Sequence, residues 1–163
     1  MSITAGWEKI AEVILGAPAQ NITIAALDLA ADKSYMFIIN ADGIVAGMNI
    51  HVYYNGDFND LSYWRQRARF DNAATSYLRL NDGRIGWLAA NTGSLFEGFI
   101  APDPNGYPRC VCNSSSHSPG SMRLYITGHV RNNVANVTSI TFRTGGANGW
   151  DTGTTVYLFK VVN

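Results

Sequence analysis

Met48-Asn-Ile-His-Val-Tyr-Tyr54, followed at once by Asn55-Gly56-Asp57, is the stretch that decides the fold. Met48, Ile50, Val52 and Tyr54 fall on one face of an extended chain, and Asn49, His51 and Tyr53 on the other. A period of two is the mark of a half-buried strand. Asn-Gly tolerates positive φ, so the strand ends in a tight turn.

The same grammar repeats outward from this point. Ile22-Thr-Ile-Ala-Ala-Leu27 alternates, and Met122-Arg-Leu-Tyr-Ile-Thr127 does so less cleanly. Ser139-Ile-Thr-Phe-Arg143 and Thr154-Thr-Val-Tyr-Leu-Phe-Lys-Val161 are β-branched and aromatic, as strands prefer. Lys33 to Asn40, with Tyr35-Met-Phe-Ile-Ile39, reads as a strand buried on both faces. Turn signals separate these runs at Asp42-Gly43, Asn81-Asp-Gly83, Asn105-Gly106, Ser118-Pro-Gly120, Gly145-Gly146 and Asn148-Gly149. Trp7 to Leu15 carries a helical face of Trp7, Ile10, Ala11 and Ile14, but a strand is preferred there. Short strands punctuated this often predict one all-β domain over residues 1–163. It is expected to be an antiparallel β-sandwich of the jelly-roll kind, with almost no helix. Residues 102–108 and 117–121 are the two main irregular loops, flanking a short strand around Arg109 to Asn113.

Composition narrows the function. Charged residues are only 15% of the chain against a globular norm of about 25%, so Asn, Ser, Thr and Gly supply the polar surface. Twelve Lys and Arg balance twelve Asp and Glu. No excess cation is available to collect phosphates, which argues against nucleic acid, and a neutral surface self-associates more readily. Residues 1–15 carry Glu8, Lys9 and Glu12, unlike a signal peptide, and no apolar run approaches a membrane span. The expectation is a protein made in a cytoplasm and not exported by a visible signal, whose Asn-x-Ser/Thr matches are fortuitous.

Few residues suggest chemistry. There is no Gly-x-Ser-x-Gly elbow, and Gly145-Gly146 lacks the Lys-Ser or Lys-Thr of a phosphate loop. His51, His117 and His129 show no Ser or Cys partner in a suggestive frame and read as exposed strand positions. The dozen acids sit mostly in turns, which gives little support to a glycosidase pair. Asn55-Gly-Asp57-Phe-Asn59-Asp60 gathers oxygen ligands suited to Ca²⁺, but an Asx-stabilised turn explains it better. Cys110 and Cys112 lie on one face of a strand about 6.5–7 Å apart, wrong for a mutual disulfide. They are expected to be free thiols. No cofactor, metal or enzymatic activity is expected.

Tyr63-Trp64-Arg65-Gln66-Arg67-Ala68-Arg69-Phe70 is the most distinctive stretch. On a strand Arg65, Arg67 and Arg69 share one face, and Trp64, Gln66, Ala68 and Phe70 the other. The arginine row is either a solvated face paired with acids or a surface for an acidic partner. Trp64, Arg65, Arg67, Arg69 and Trp87 are the candidate partner-binding residues, since Trp and Arg dominate interface cores. Trp7, Trp64, Trp87 and Trp150 serve in core or interface packing, or less plausibly line a sugar site.

Four stretches resemble a group of small tailed-phage virion proteins with a jelly-roll-like sandwich. They are Trp7-Glu8-Lys9-Ile10 with Ile22-Thr-Ile24; Tyr53-Tyr54-Asn55-Gly56-Asp57 followed by Tyr63; Asn132 to Phe142; and Gly153-Thr-Thr-Val-Tyr-Leu-Phe-Lys-Val161. The resemblance implies a virion structural protein. A head-decoration (cement) role fits one compact domain, with the major capsid protein and copies of itself as partners and a trimer at a local threefold axis. A tail-fibre or host-recognition domain is the alternative, and a carbohydrate-binding module is the alternative from another class.

Overall fold

The computed structural model describes residues 6–41, 47–71, 75–88, 90, 92–118, 121–133 and 135–162. The Asp42-Gly43 turn and Pro119-Gly120 lie outside them. Twelve strands form two antiparallel sheets, and strands account for 63% of the structure. In chain order they are β1 (Gly6–Ile14), β2 (Asn21–Ile24), β3 (Tyr35–Ala41), β4 (Met48–Tyr54), β5 (Tyr63–Phe70) and β6 (Thr75–Leu80). They continue with β7 (Arg84–Leu88), β8 (Ser94–Pro102), β9 (Pro108–Ser118), β10 (Ser121–Arg131), β11 (Ile140–Thr144) and β12 (Thr155–Val162). One short helix, α1 (Leu29–Asp32), and a 3₁₀ turn at Asp60–Ser62 complete the elements.

The large sheet runs β1-β12-β3-β8-β9-β10-β5-β6 and the small sheet β2-β11-β4-β7. This order is a jelly roll with an extension. β1, β12, β3 and β8 face β2, β11, β4 and β7, and successive strands of this frame lie in opposite sheets at every step except β4 to β7. Two inserted hairpins, β5–β6 and β9–β10, add four strands to the β8 edge of the large sheet. β7 packs over β9 and β10, so the far strands β5 and β6 overhang the small sheet.

The core lies between the eight frame strands. Phe37, Ile39, Phe96, Val156 and Leu158 of the large sheet meet Ile22, Ile50, Val52, Ile140 and Phe142 of the small one, all essentially buried. Phe37 and Phe142 pack with tilted rings, 4.9 Å between centroids. Trp150 is fully buried and its indole N–H donates to the Phe142 carbonyl at 3.2 Å, which satisfies its one polar atom. Gly98 is required where it stands. A Cβ there would come within 2.3 Å of the Phe37 ring and 2.9 Å of the Val111 carbonyl oxygen.

Most sequence expectations hold in detail. Trp7 to Ile14 is strand, and β4 alternates as read, with Tyr53 on its second face covered by Phe58 at 5.3 Å. Three need correction. The two-faced burial expected for Lys33 to Asn40 is one-sided. Tyr35, Phe37, Ile39 and Ala41 are buried, whereas Met36 and Ile38 are half-covered and Asn40 is exposed. Only one face of β3 has a second sheet against it. The strand around Cys110 extends from Pro108 to Ser118, because neighbours pair along its whole length. His129 is buried rather than exposed, since its position on β10 points into the sandwich.

The turn after β4 explains the Tyr53 to Tyr63 motif mechanically. Asn55 and Gly56 have φ of 55° and 70°. Asn55 Oδ1 accepts from the Thr138 and Ser139 N–H groups, and its amide donates to the Asn136 carbonyl. The Tyr63 hydroxyl accepts from the Tyr54 N–H and donates to the Asp57 carbonyl, both at 3.0 Å. Asp57 receives Arg131 at 3.1 Å, and Asp60 receives the Tyr53 hydroxyl at 2.7 Å. The oxygens that resembled a Ca²⁺ set are bonded within the chain.

Candidate interaction surfaces

The two faces of β5 have opposite fates. Trp64, Gln66, Ala68 and Phe70 look outward, and Arg65, Arg67 and Arg69 look inward. The candidate residues Trp64 and Arg65–Arg69 therefore serve two different surfaces.

The outer face of the large sheet carries a band of exposed apolar side chains, flanked on β9 by Asn113 and His117. Trp64 is 59% exposed, Tyr77 78%, Phe99 51% and Trp7 43%, and Phe70 joins them. Val111, Met122 and Ile126 fill the middle on β9 and β10, with Leu95 on β8 and Ile14 on β1. Strand register puts all of these on one side, and the Trp7 and Phe99 rings reach across to 5.9 Å. At this exposure the five aromatics alone present about 500 Å², using 150–250 Å² per ring side chain. The largest apolar patch of a typical monomer is about 300–600 Å² in all. Gly128, Gln66 and Ala68 leave a shallow groove between Trp64, Tyr77, Val111 and Ile126; a Cβ on Gly128 would find only the Cys110 carbonyl, at 4.0 Å. Arg79 and Arg109 edge this half of the face, while Glu97 and the Lys9–Glu12 pair lie on the other.

The inner face of the overhang is cationic. The expected partner-facing role of Arg65 is corrected here: it is 1% exposed and bound to Asp82, with Nε 2.6 Å from Oδ1 and Nη2 2.9 Å from Oδ2. Burial, with repulsion from Arg84 and Arg67, brings its pKa down to about 10 despite Asp82, so it stays charged at neutral pH. Arg67 is half-buried, 5.4 Å from the Tyr125 ring, and Arg69 pairs with Asp71. Arg84 opens β7, and Arg123 of β10 lies 6.0 Å from the half-buried Trp87 ring. Trp87 is thus a wall of the small sheet's edge and not part of the outer face.

The structure also makes a pairing that sequence spacing hid. Cys110 and His129 are opposite residues on the β9–β10 ladder. Both side chains are buried, and Cys110 is a free thiol beside the Tyr54 hydroxyl. Burial pushes the Cys110 thiol well up and the His129 imidazole down to about 3, and His129 is stacked against Tyr54 at 5.9 Å. A protonated thiol and a neutral imidazole sealed in a core are packing residues and not an activated nucleophile. Cys112 is likewise a buried free thiol.

Among the described residues no group of three or more His, Cys, Asp or Glu is placed to hold a metal ion, and no helix is long and apolar enough to cross a membrane. No protein-family model matches the chain, and no curated protein matches it. Among solved structures it is similar to the marine PL-14 alginate lyase from Aplysia kurodai, at 10% identity over 93% of this chain and 81% of that one, with a TM-score of 0.39. It is also similar to a mutant of alginate lyase Aly36B in complex with alginate trisaccharide, at 9% identity over 92% and 78%, TM-score 0.35. Likeness this distant carries no inference about activity.

Proposed function

We propose that this protein is a non-catalytic adhesive domain of the small phage virion type, which decorates a head by applying the outer face of its large sheet to the major capsid protein. One observation carries the reading: the continuous outer face from Trp7 through Phe99 and Val111 to Trp64 and Tyr77. With its aliphatic residues that face approaches the roughly 800 Å² per partner of a standard protein interface. Burying it against capsid subunits, in copies grouped about a local threefold axis, would raise the free energy of opening the shell. The sequence resemblance described above supports the same assignment.

The test is rebinding. Purified protein is expected to saturate heads stripped of their decoration, and Phe99→Glu is expected to lose that binding while keeping the wild-type melt. Binding to host cells instead of heads would assign it to a tail fibre. Trp64 and Tyr77, exposed on either side of the Gly128 groove, favour a carbohydrate-binding module as the second reading. Capture on a glycan array, lost in Trp64→Ala, would select it.

A further inference from the structure

We propose that the recess between the free edge of β7 and the inner face of β5–β6 takes an extended acidic polypeptide segment, which continues the small sheet as a fifth strand and sets its carboxylates on the arginines below.

The backbone argument comes first. β7 ends the small sheet, so among the described residues one of its edges has no strand beside it. Beneath that edge the inner face of β10 and the start of β5 are covered, with Thr127 and Arg65 each 1% exposed, and the face opens toward β6, where Leu78 and Leu80 are 39% and 40% exposed. An unpaired edge beside an opening sheet face is the geometry of strand addition, in which main-chain bonds hold the segment and alternate side chains read the floor.

Charge identifies the segment. Four arginines border the recess, namely Arg67, Arg69, Arg84 and Arg123, with Arg65 sealed beside them on Asp82 and Asp71 held by Arg69. Asp82 is engaged by Arg65 and Asp71 by Arg69, so Arg67, Arg84 and Arg123 form no ion pair among the described residues. Arg67 is repelled by Arg84 and Arg69, a standing cost that an incoming anion removes.

The floor also holds unmet donors. The Nε atoms of Arg67 and Arg84 and the Thr127 hydroxyl are buried without a hydrogen-bond partner among the described residues. Thr127 is 1% exposed and sits directly opposite Arg67 on the ladder. Guanidinium forks match carboxylates in bidentate fashion. Arg67 and Arg69 stand about 6.5–7 Å apart, the spacing of alternate side chains on an extended strand. Phosphate backbones are the poorer fit, because twelve Lys and Arg are balanced by twelve Asp and Glu and the chain carries no excess cation to collect phosphates.

This site is independent of the outer face, and its test keeps the two apart. A short fluorescent peptide of alternating Glu and Val is titrated at low salt and followed by anisotropy, with amide exchange read in parallel. Wild-type protein is expected to bind it and to slow exchange in β7 but not in β2. Arg67→Ala and Arg84→Ala are each expected to weaken binding about tenfold or more, while Phe99→Glu on the outer face leaves it unchanged. Should Arg67→Ala melt early, the half-exposed Arg84 carries the test alone. Failure of the peptide to bind, equal binding by a Lys-Val peptide, undiminished binding by Arg84→Ala, or tighter binding of single-stranded DNA or inorganic phosphate would each overturn the proposal.

Discussion

Arg65 on β5 and Asp82 in the turn before β7 meet through two contacts, at 2.6 and 2.9 Å, with the arginine sealed from solvent. The pair ties an inserted hairpin of the large sheet to the edge of the small one. Asp82 also accepts the Arg84 N–H at 3.1 Å, so one carboxylate orders both the turn and the overhang.

Breaking that pair from one side leaves a buried charge without a counter-ion. Asp82→Asn is expected to cost about 3–5 kcal/mol in urea unfolding. Replacing both partners, Arg65→Met with Asp82→Leu, is expected to recover most of the loss, because two desolvated charges leave together. Additive losses in the double variant would contradict this account of the pair.

Acid stability is expected to depend on His129. Burial first, then Arg65, holds its folded-state pKa at about 3, below its ordinary value of 6.5. Between those pH values the unfolded chain takes up a proton that the folded one refuses. The stability tied to neutral His129 is therefore complete above about pH 6.5. It declines by about 1.4 kcal/mol per unit as the pH falls toward 3. His51, also shifted down by burial, adds in the same direction. Unfolding free energies measured across this range should flatten in His129→Phe, and an unchanged slope there would rule the histidine out.

Gly98→Ala should destabilise by about 1–3 kcal/mol, since its Cβ would press on the Phe37 ring and the Val111 carbonyl. Gly16→Ala is the control; nothing lies within 4 Å of its Cβ, and the change is expected to stay within about 0.5 kcal/mol. Thermal melts of the two variants side by side decide the matter.

Tyr63→Phe removes one hydroxyl and two bonds. The Tyr54 N–H would lose its acceptor inside the core, at a cost of about 1–3 kcal/mol. Its amide is expected to exchange slowly in the wild type and to become one of the faster strand amides in the variant, as read by hydrogen exchange.

The strands were legible because alternation and turn residues are local. Gly56 with positive φ, and the Tyr53–Tyr54 split between faces, follow from a few neighbouring side chains. The parity of β5 was equally plain, but its orientation was not. Apolar faces ordinarily turn inward, yet Trp64 and Phe70 turn out and the arginines turn in. The reason is non-local. Beyond β7 no second sheet covers the overhang, and the counter-ion for Arg65 comes from Asp82, which on its own reads as a turn residue in Asn81-Asp82-Gly83. Arg84 and Arg123 were missed for the same cause, since only strand order brings them beside Arg67. The pairing of Cys110 with His129 depends on ladder register, which no spacing within either strand reveals.

The four added strands enter the jelly roll at only two places, between β4 and β7 and between β8 and β11. The ladders joining β1, β12, β3 and β8, and those joining β2, β11, β4 and β7, involve none of their residues. Scaffold pairing and most of the proposed interaction surface are thus written in separate tracts of the gene. Drift in the hairpins can retarget such a molecule to a new neighbour while leaving the frame's own ladders untouched. A lineage carrying this architecture has room to follow a changing partner without having to reinvent a fold.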